Sequence, residues 1–219
     1  MDLDLVIDPV VTRTRISTEA RGLARDFCRR VAQEARLINA QAIGAPLRRW
    51  MARYPDRRPR DCILRDLERE WRGANPQHFR LDFRAAWQGK NFMISERAVT
   101  VVEAFRLLHW NDDDYGVTVT DTWMRVDRDR VRAGVRSRMW IGSHALARWY
   151  QRSGARSDER LLHDIGLGAT YIADDRSVTL DLDDVRVPIN AAGEEWRGAM
   201  MLPPEDEDEG LVFYVKTFV

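Results

Sequence analysis

Ser143-His144-Ala145-Leu146-Ala147-Arg148-Trp149-Tyr150-Gln151-Arg152 is where this chain turns from alternating strand character to helix. At about 100° per residue, His144, Arg148, Gln151 and Arg152 share one helical face, and Ala145, Leu146, Trp149 and Tyr150 share the other. Ser143 is a good N-cap, which puts His144 in the first turn, where the helix dipole disfavours the imidazolium. A neutral imidazole beside a ladder of guanidinium groups has the parts for metal-free cleavage of a phosphodiester. An ordinary amphipathic surface helix carries the same pattern, so the flanking sequence has to discriminate.

Upstream, Val117–Val126 and Val131–Ile141 read as a hairpin around Asp127-Arg128-Asp129-Arg130. Alternation along the second strand puts Val131, Ala133, Val135, Met139 and Ile141 on one face, with Arg132, Arg136, Arg138 and Trp140 on the other. A basic, aromatic strand face suits nucleic acid; a solvated outer face has the same composition. Downstream, a short helix over Asp158–Ile165 is expected to close at Gly166 and Gly168. Four short strands then form an antiparallel meander: Thr170–Ala173 with Ser177–Leu182, then Val185–Asn190, Glu195–Leu202 and Leu211–Val219. Pro188 suits an edge strand, because it has no N–H to give a neighbour.

The first half reads as helices. From Thr18 to Ala42, apolar Ala20, Leu23, Ala24, Phe27, Cys28, Val31, Ala35, Ile38 and Ala42 keep helical spacing, with Arg21, Arg25, Arg29 and Arg36 mostly opposite. Short helices follow over Pro46–Arg53 and Asp61–Arg72. Asn75-Pro76 is expected to open a helix through Phe79, Phe83 and Trp87 that Gly89 stops. Ser95 is expected to cap another, carrying Ala98, Val101, Val102, Phe105 and Leu108. The Asn111–Asp114 run sets the expected boundary between a helical region (1–114) and a helix-plus-antiparallel-sheet domain (115–219). The fold class is therefore α+β.

Eight Trp, seven Phe and 44% hydrophobic residues in 219 supply a substantial core and exclude a disordered chain. No run approaches the ~20 apolar residues of a membrane span. Met1-Asp2-Leu3-Asp4 is acidic and lacks the apolar core of a signal peptide. The expectation is a cytoplasmic protein, or one delivered into a target cell by a dedicated secretion machine. Cys28 and Cys62 lie in helical patterns and read as reduced core residues. The net charge of zero hides an asymmetry: only 4 of 35 basic side chains, but 13 of 35 acidic ones, lie beyond residue 160. Either the halves face each other or the basic half meets a polyanion. The run Glu205–Glu209 would repel RNA and belongs away from any cleft. The basic residues are 33 Arg against Lys90 and Lys216 alone. A retained ammonium is chemically distinct from a guanidinium, which draws attention to Lys216.

A helix with His-x-x-x-Arg-x-x-x-Arg, a short helix, and a meander ending in an apolar strand with Lys-Thr resembles small toxin nucleases of the barnase/colicin/RelE-like superfamily. The resemblance runs over about residues 140–219 and is nearest to a branch opening its helix with His-Ala and ending its last strand with Thr and an aromatic residue. Here those are His144-Ala145 and Thr217-Phe218. It implies metal-independent endoribonuclease action, a His or Arg from the helix working with a Thr, Ser, Tyr or Lys from the sheet, and a cognate antitoxin or immunity protein as partner. Residues 1–115 carry no such likeness.

The chemistry is coherent beside the resemblance. Cleavage of RNA through its own 2′-hydroxyl needs a base, fixed positive charge on the pentacoordinate phosphate, and a donor for the leaving oxygen. His144 is the candidate base and Arg148 the candidate phosphate ligand, with Lys216 or Thr217 supplied by the sheet. Arg152, Arg136, Arg138 and Tyr214 are candidate substrate contacts. Strict alternation would put Thr217 with Leu211, Phe213 and Val215, and Lys216 with Val212, Tyr214 and Phe218. No cofactor or metal is expected. Asp181-x-Asp183-Asp184 and Asp112–Asp114 read as turn acids, and His78, His109 and His163 lack ligand spacing. The competing reading is a non-catalytic interaction module, such as an immunity, adaptor or phage-encoded binding protein.

Overall fold

The computed structural model describes residues 15–34, 39–55, 57–74, 79–101, 115–127, 130–174, 184–190, 193–201 and 211–219. Elements follow in the order α1 (Thr18–Glu34), α2 (Ala40–Ile43), α3 (Ala45–Arg53), α4 (Asp61–Ala74), β1 (Arg80–Gln88), β2 (Asn91–Val101), β3 (Gly116–Val126), β4 (Val131–Gly142), α5 (Ser143–Ser153), α6 (Asp158–Asp174), β5 (Val185–Pro188), β6 (Glu195–Met201) and β7 (Val212–Phe218). The chain is α+β. The strands form one seven-stranded sheet in the order β1-β2-β3-β4-β7-β6-β5. Every pairing is antiparallel except β4 with β7, which run parallel through Met139↔Phe213, Trp140↔Tyr214 and Ile141↔Val215.

Both sheet faces are covered, by different helices. Odd positions of β2 and β3, such as Val99, Val117 and Val119, join Met139, Ile141, Phe213 and Val215 in one core with Phe27 and Val31 of α1, Trp149 of α5, and Leu161 and Ile165 of α6. Even positions Phe92, Ile94, Met124 and Val126 face the other way and pack on Leu47, Leu64, Leu67 and Trp71 of α3 and α4. Indole N–H groups buried in these cores find acceptors, as they must. Trp149 Nε1 donates to Asp164 Oδ2 at 2.9 Å, Trp196 Nε1 to the Asp164 carbonyl at 3.2 Å, and Trp71 Nε1 to Glu96 Oε2 at 3.2 Å. Glu96 also takes the Arg80 guanidinium, so this buried carboxylate is both paired and hydrogen-bonded.

Several expectations are corrected. The segments read as helices through Phe83–Trp87 and from Ser95 are the strands β1 and β2. Phe79, Phe83 and Trp87 keep four-residue spacing, but Phe83, Ala85 and Trp87 equally keep period two, and pairing with β2 selects the latter. The sheet thus runs across the expected boundary at Asn111–Asp114: β2 and β3, on either side, pair from Phe92↔Val126 to Val101↔Val117. α6 continues through Gly166 and Gly168 to Asp174, where a strand from Thr170 was expected. Gly168 is a packing glycine. A Cβ there would stand 3.0 Å from the Trp196 ring and 3.4 Å from the Met139 methyl. Cys28 is buried, its thiol pushed up to about 12 by loss of hydration, but Cys62 is exposed. Pro188 does lie in an edge strand. Asn75-Pro76, His78, Val102–Asp114 (with Phe105, Leu108 and His109), Ser177–Asp183 and Glu205–Glu209 lie outside the described residues.

Candidate functional site

α5 begins where β4 ends, with Gly142 as N-cap in extended conformation and Ser143, the expected cap, as the first helical residue. The Ser143 N–H donates to the Tyr115 carbonyl at 3.0 Å, anchoring the strand–helix junction. His144 is therefore in the first turn, as the spacing requires, and Gly154 ends the helix in the left-handed conformation at φ 60°. Ala145, Leu146, Ala147, Trp149 and Tyr150 are buried, His144 and Arg152 are exposed, and Arg148 and Gln151 are half-buried. The helix faces are as the periodicity gives them.

The polar face of α5 borders α1. Gln151 Nε2 donates to the Arg15 carbonyl at 3.3 Å. Lost hydration, followed by the Arg148 and Arg21 guanidiniums, holds the His144 imidazole below the ordinary histidine range. Arg21 belongs to α1 and was missed in the sequence, where it is one of several arginines on a long helix. Only tertiary packing brings it to His144. The other end of the helix pair is tied by Arg30, which grips Asp158 with two bonds of 2.8 and 2.6 Å, while the Tyr150 hydroxyl donates to the same carboxylate at 3.3 Å. Burial, then Asp158, raises the Tyr150 phenol.

On the sheet side, a bulge changes the expected alternation. β6 and β7 pair as Gly198↔Val215 and then Arg197↔Thr217, leaving Lys216 as the extra residue. Gly198 permits the close approach, since a Cβ there would overlap the Tyr214 carbonyl oxygen. Past the bulge, Phe218 returns to the core of Phe213 and Val215, Thr217 pairs opposite Arg197, and Lys216 is exposed. Strict alternation had put Thr217 with the core residues and Phe218 with Lys216. Tyr214 is buried beside Trp140, its phenol raised to about 12 by lost hydration. Lys216 follows Val215, whose parallel partner Ile141 lies three residues before His144. Lys216 is not among the charges that shift the imidazole, which are Arg148 and Arg21.

A second bulge reorders β4. Val119↔Met139 is followed by Thr120↔Ser137, so Arg138 is extra, and Met139 and Ile141 lie on the face of Arg132, Arg136 and Gly134 rather than that of Val131, Ala133 and Val135. Arg138 Nε donates to Asp121 Oδ2 at 2.6 Å, and Arg97 grips the same carboxylate at 2.7 and 3.2 Å. Burial opposes the charge on Asp121, but the two guanidiniums override it and hold its carboxyl below the ordinary range. Arg136 is half-buried opposite Asp121. Asp121, Arg97 and Arg138 line a cleft of about 320 Å³ with Asp82, Arg84 and Trp123. Arg138 is thus half-buried and shares the Asp121 carboxylate with Arg97.

Among the described residues, no three His, Cys, Asp or Glu side chains are grouped to hold a metal ion, and no helix is long and apolar enough to cross a membrane. Asp184 is exposed and paired with Arg186 at 2.9 Å. No protein-family model, curated protein or solved structure matches this chain.

Proposed function

We propose that the exposed face of α5 acts on RNA as a metal-independent endoribonuclease of toxin type. The observation that carries this reading is the placement of His144 in the first turn of α5 on the same face as Arg148 and Arg152, its imidazole held below the ordinary histidine range by lost hydration and then by the Arg148 and Arg21 guanidiniums. A base must be unprotonated to accept a proton, and cations beside it both keep it so and attract the phosphate it serves. His144 takes the 2′-hydroxyl proton as the 2′-oxygen bonds to phosphorus. Arg148 and Arg21 stabilise the pentacoordinate phosphate, the bond to the 5′-oxygen breaks, and that oxygen leaves with a proton. Arg152, one turn on and exposed, contacts the adjoining phosphate. Lys216 is the sheet cation nearest in register and the candidate donor to the leaving oxygen; Thr217, half-buried opposite Arg197, is the weaker candidate.

The test is incubation of end-labelled RNA in excess EDTA. Products ending in 2′,3′-cyclic phosphate, abolished in His144→Ala, are the expected result. An uncut RNA, or cleavage that needs Mg²⁺, overturns the reading. The second reading, a non-catalytic interaction module, draws on one observation: among the described residues no hydrogen bond orients the His144 ring. It expects His144→Ala and Arg148→Ala to weaken a partner complex while the parent protein cuts nothing.

A further inference from the structure

A strongly basic concavity lies at the junction of α3 and α4, on the sheet face opposite the one α5 covers. This cleft of about 520 Å³ is lined by Arg49, Arg53, Arg57, Arg58 and Arg60 around Trp50 and Tyr54. Among the described residues, no carboxylate lines it. Asp56 is the single acid of the 49–60 stretch and lies outside the described residues. None of these five arginines makes an ion pair among the described residues, whereas Arg30, Arg80, Arg97 and Arg138 elsewhere are each committed to an acid. Five arginines lining one concavity raise its positive potential, which an anion would relieve.

The aromatic rings narrow the class of anion. Trp50 and Tyr54 pack together at 5.6 Å between centroids, and the Arg53 and Arg57 guanidiniums each stand 5.6 Å from the Tyr54 centroid; Arg58 stacks at 3.7 Å over Trp87, a ring outside the cleft lining. Flat cations interleaved with aromatic rings offer both phosphate ligands and stacking surfaces for bases. A single nucleic-acid strand needs that pairing, and an inorganic anion makes no use of the rings. We propose that this cleft is a second nucleic-acid site, holding consecutive phosphates of a single strand and stacking its bases, remote from the His144 face. It stands independently of catalysis at His144.

The test is fluorescence anisotropy of a labelled oligothymidylate, which lacks the 2′-hydroxyl and so reports binding whether or not the protein cuts RNA. The triple variant Arg49→Gln, Arg53→Gln, Arg57→Gln alters exposed positions, and an unchanged circular dichroism spectrum and melting temperature would establish its fold. Should the triple variant fold poorly, Arg53→Gln alone serves. Expected are binding that weakens with salt, a triple variant at least about tenfold weaker, and a slope of log affinity against log salt shallower by about 2, at ~0.7 for each phosphate deprived of its cation. Arg53→Gln alone is expected to lower the slope by about 0.7. Equal affinity and slope in the folded cleft variants overturn the proposal. So does displacement of the strand by inorganic tripolyphosphate at equal phosphate concentration, which would assign the cleft to a small anion.

Discussion

Trp149 and Asp164 clamp α5 to α6, and breaking that clamp has a calculable cost. The indole is fully buried, the carboxylate is 6% exposed, and the bond between them measures 2.9 Å. Trp149→Phe keeps most of the ring in place but leaves Asp164 buried without its donor, which costs about 1–3 kcal/mol, toward the upper end because the acceptor is charged. The smaller ring adds roughly 1 kcal/mol, so about 2–4 kcal/mol is expected. Trp149→Ala opens a cavity as well and should cost at least the ~3–5 kcal/mol usual for a buried Trp truncation. Asp164→Asn keeps an acceptor and loses only charge assistance, about 1 kcal/mol. His144→Ala, on the exposed face of the same helix, should stay within about 0.5 kcal/mol of the parent. Urea unfolding at constant m-value ranks the four, and the Trp149→Phe/Asp164→Asn double variant should show a coupling of about 0.5–3 kcal/mol. A Trp149→Phe protein as stable as the parent would refute the clamp. A His144→Ala protein several kcal/mol less stable would make the imidazole structural and remove it from catalysis.

If His144 is the base, the acid limb of kcat/KM lies below pH 6.5, since its pKa is held down by lost hydration and by Arg148 and Arg21. Arg21→Gln removes one cation and should move that limb upward; a limb that does not respond would disconnect Arg21 from the site. The same depressed pKa means the folded state binds protons less readily than the unfolded one. His144 therefore carries no penalty above its unfolded pKa and lowers stability as pH falls below it, which a melting-temperature series in the parent and His144→Ala would show. Gly198→Ala should cost more than about 3 kcal/mol or prevent folding, since the new methyl meets backbone and not a movable side chain; near-parental thermal stability would contradict the β6–β7 register. A fragment of residues 116–219, cut beside the boundary expected from the sequence, should be insoluble or unfolded by circular dichroism. It exposes the β3 edge that β2 covers and strips α1 from α5.

The sequence was legible where one local period ruled. The β3–β4 hairpin, the last three strands of the closing meander, and α3, α4 and α5 fall close to where spacing put them, and α1 begins at Thr18 as expected, because in each a single local period dominates. Reading failed where tertiary contacts select between two acceptable periods, as at Phe79–Trp87, or where a glycine serves a neighbour and not its own backbone, as at Gly168 and Gly198. The bulges at Arg138 and Lys216 each reverse the facing of the residues beyond them, and no side-chain pattern announces a residue left out of register. For the candidate site, the helical face of His144, Arg148 and Arg152 was readable from spacing alone. Arg21 was not, because nothing local tells which turn of α1 meets α5.

The parallel contact between β4 and β7 has a kinetic consequence. Strands β1 to β4 pair in sequence order, each with its neighbour in the chain, whereas Met139 meets Phe213 across 74 positions. Loop closure over that distance makes this the slow step in assembling the sheet, so β1–β4 should form first and wait. While they wait, Met139-Trp140-Ile141 lies on an open, apolar edge able to pair with another chain. α5, folding directly onto the end of that strand from Ser143 onward, is positioned to cover it early. Changes that weaken α5 should therefore raise aggregation during refolding more than they lower the stability of the finished protein.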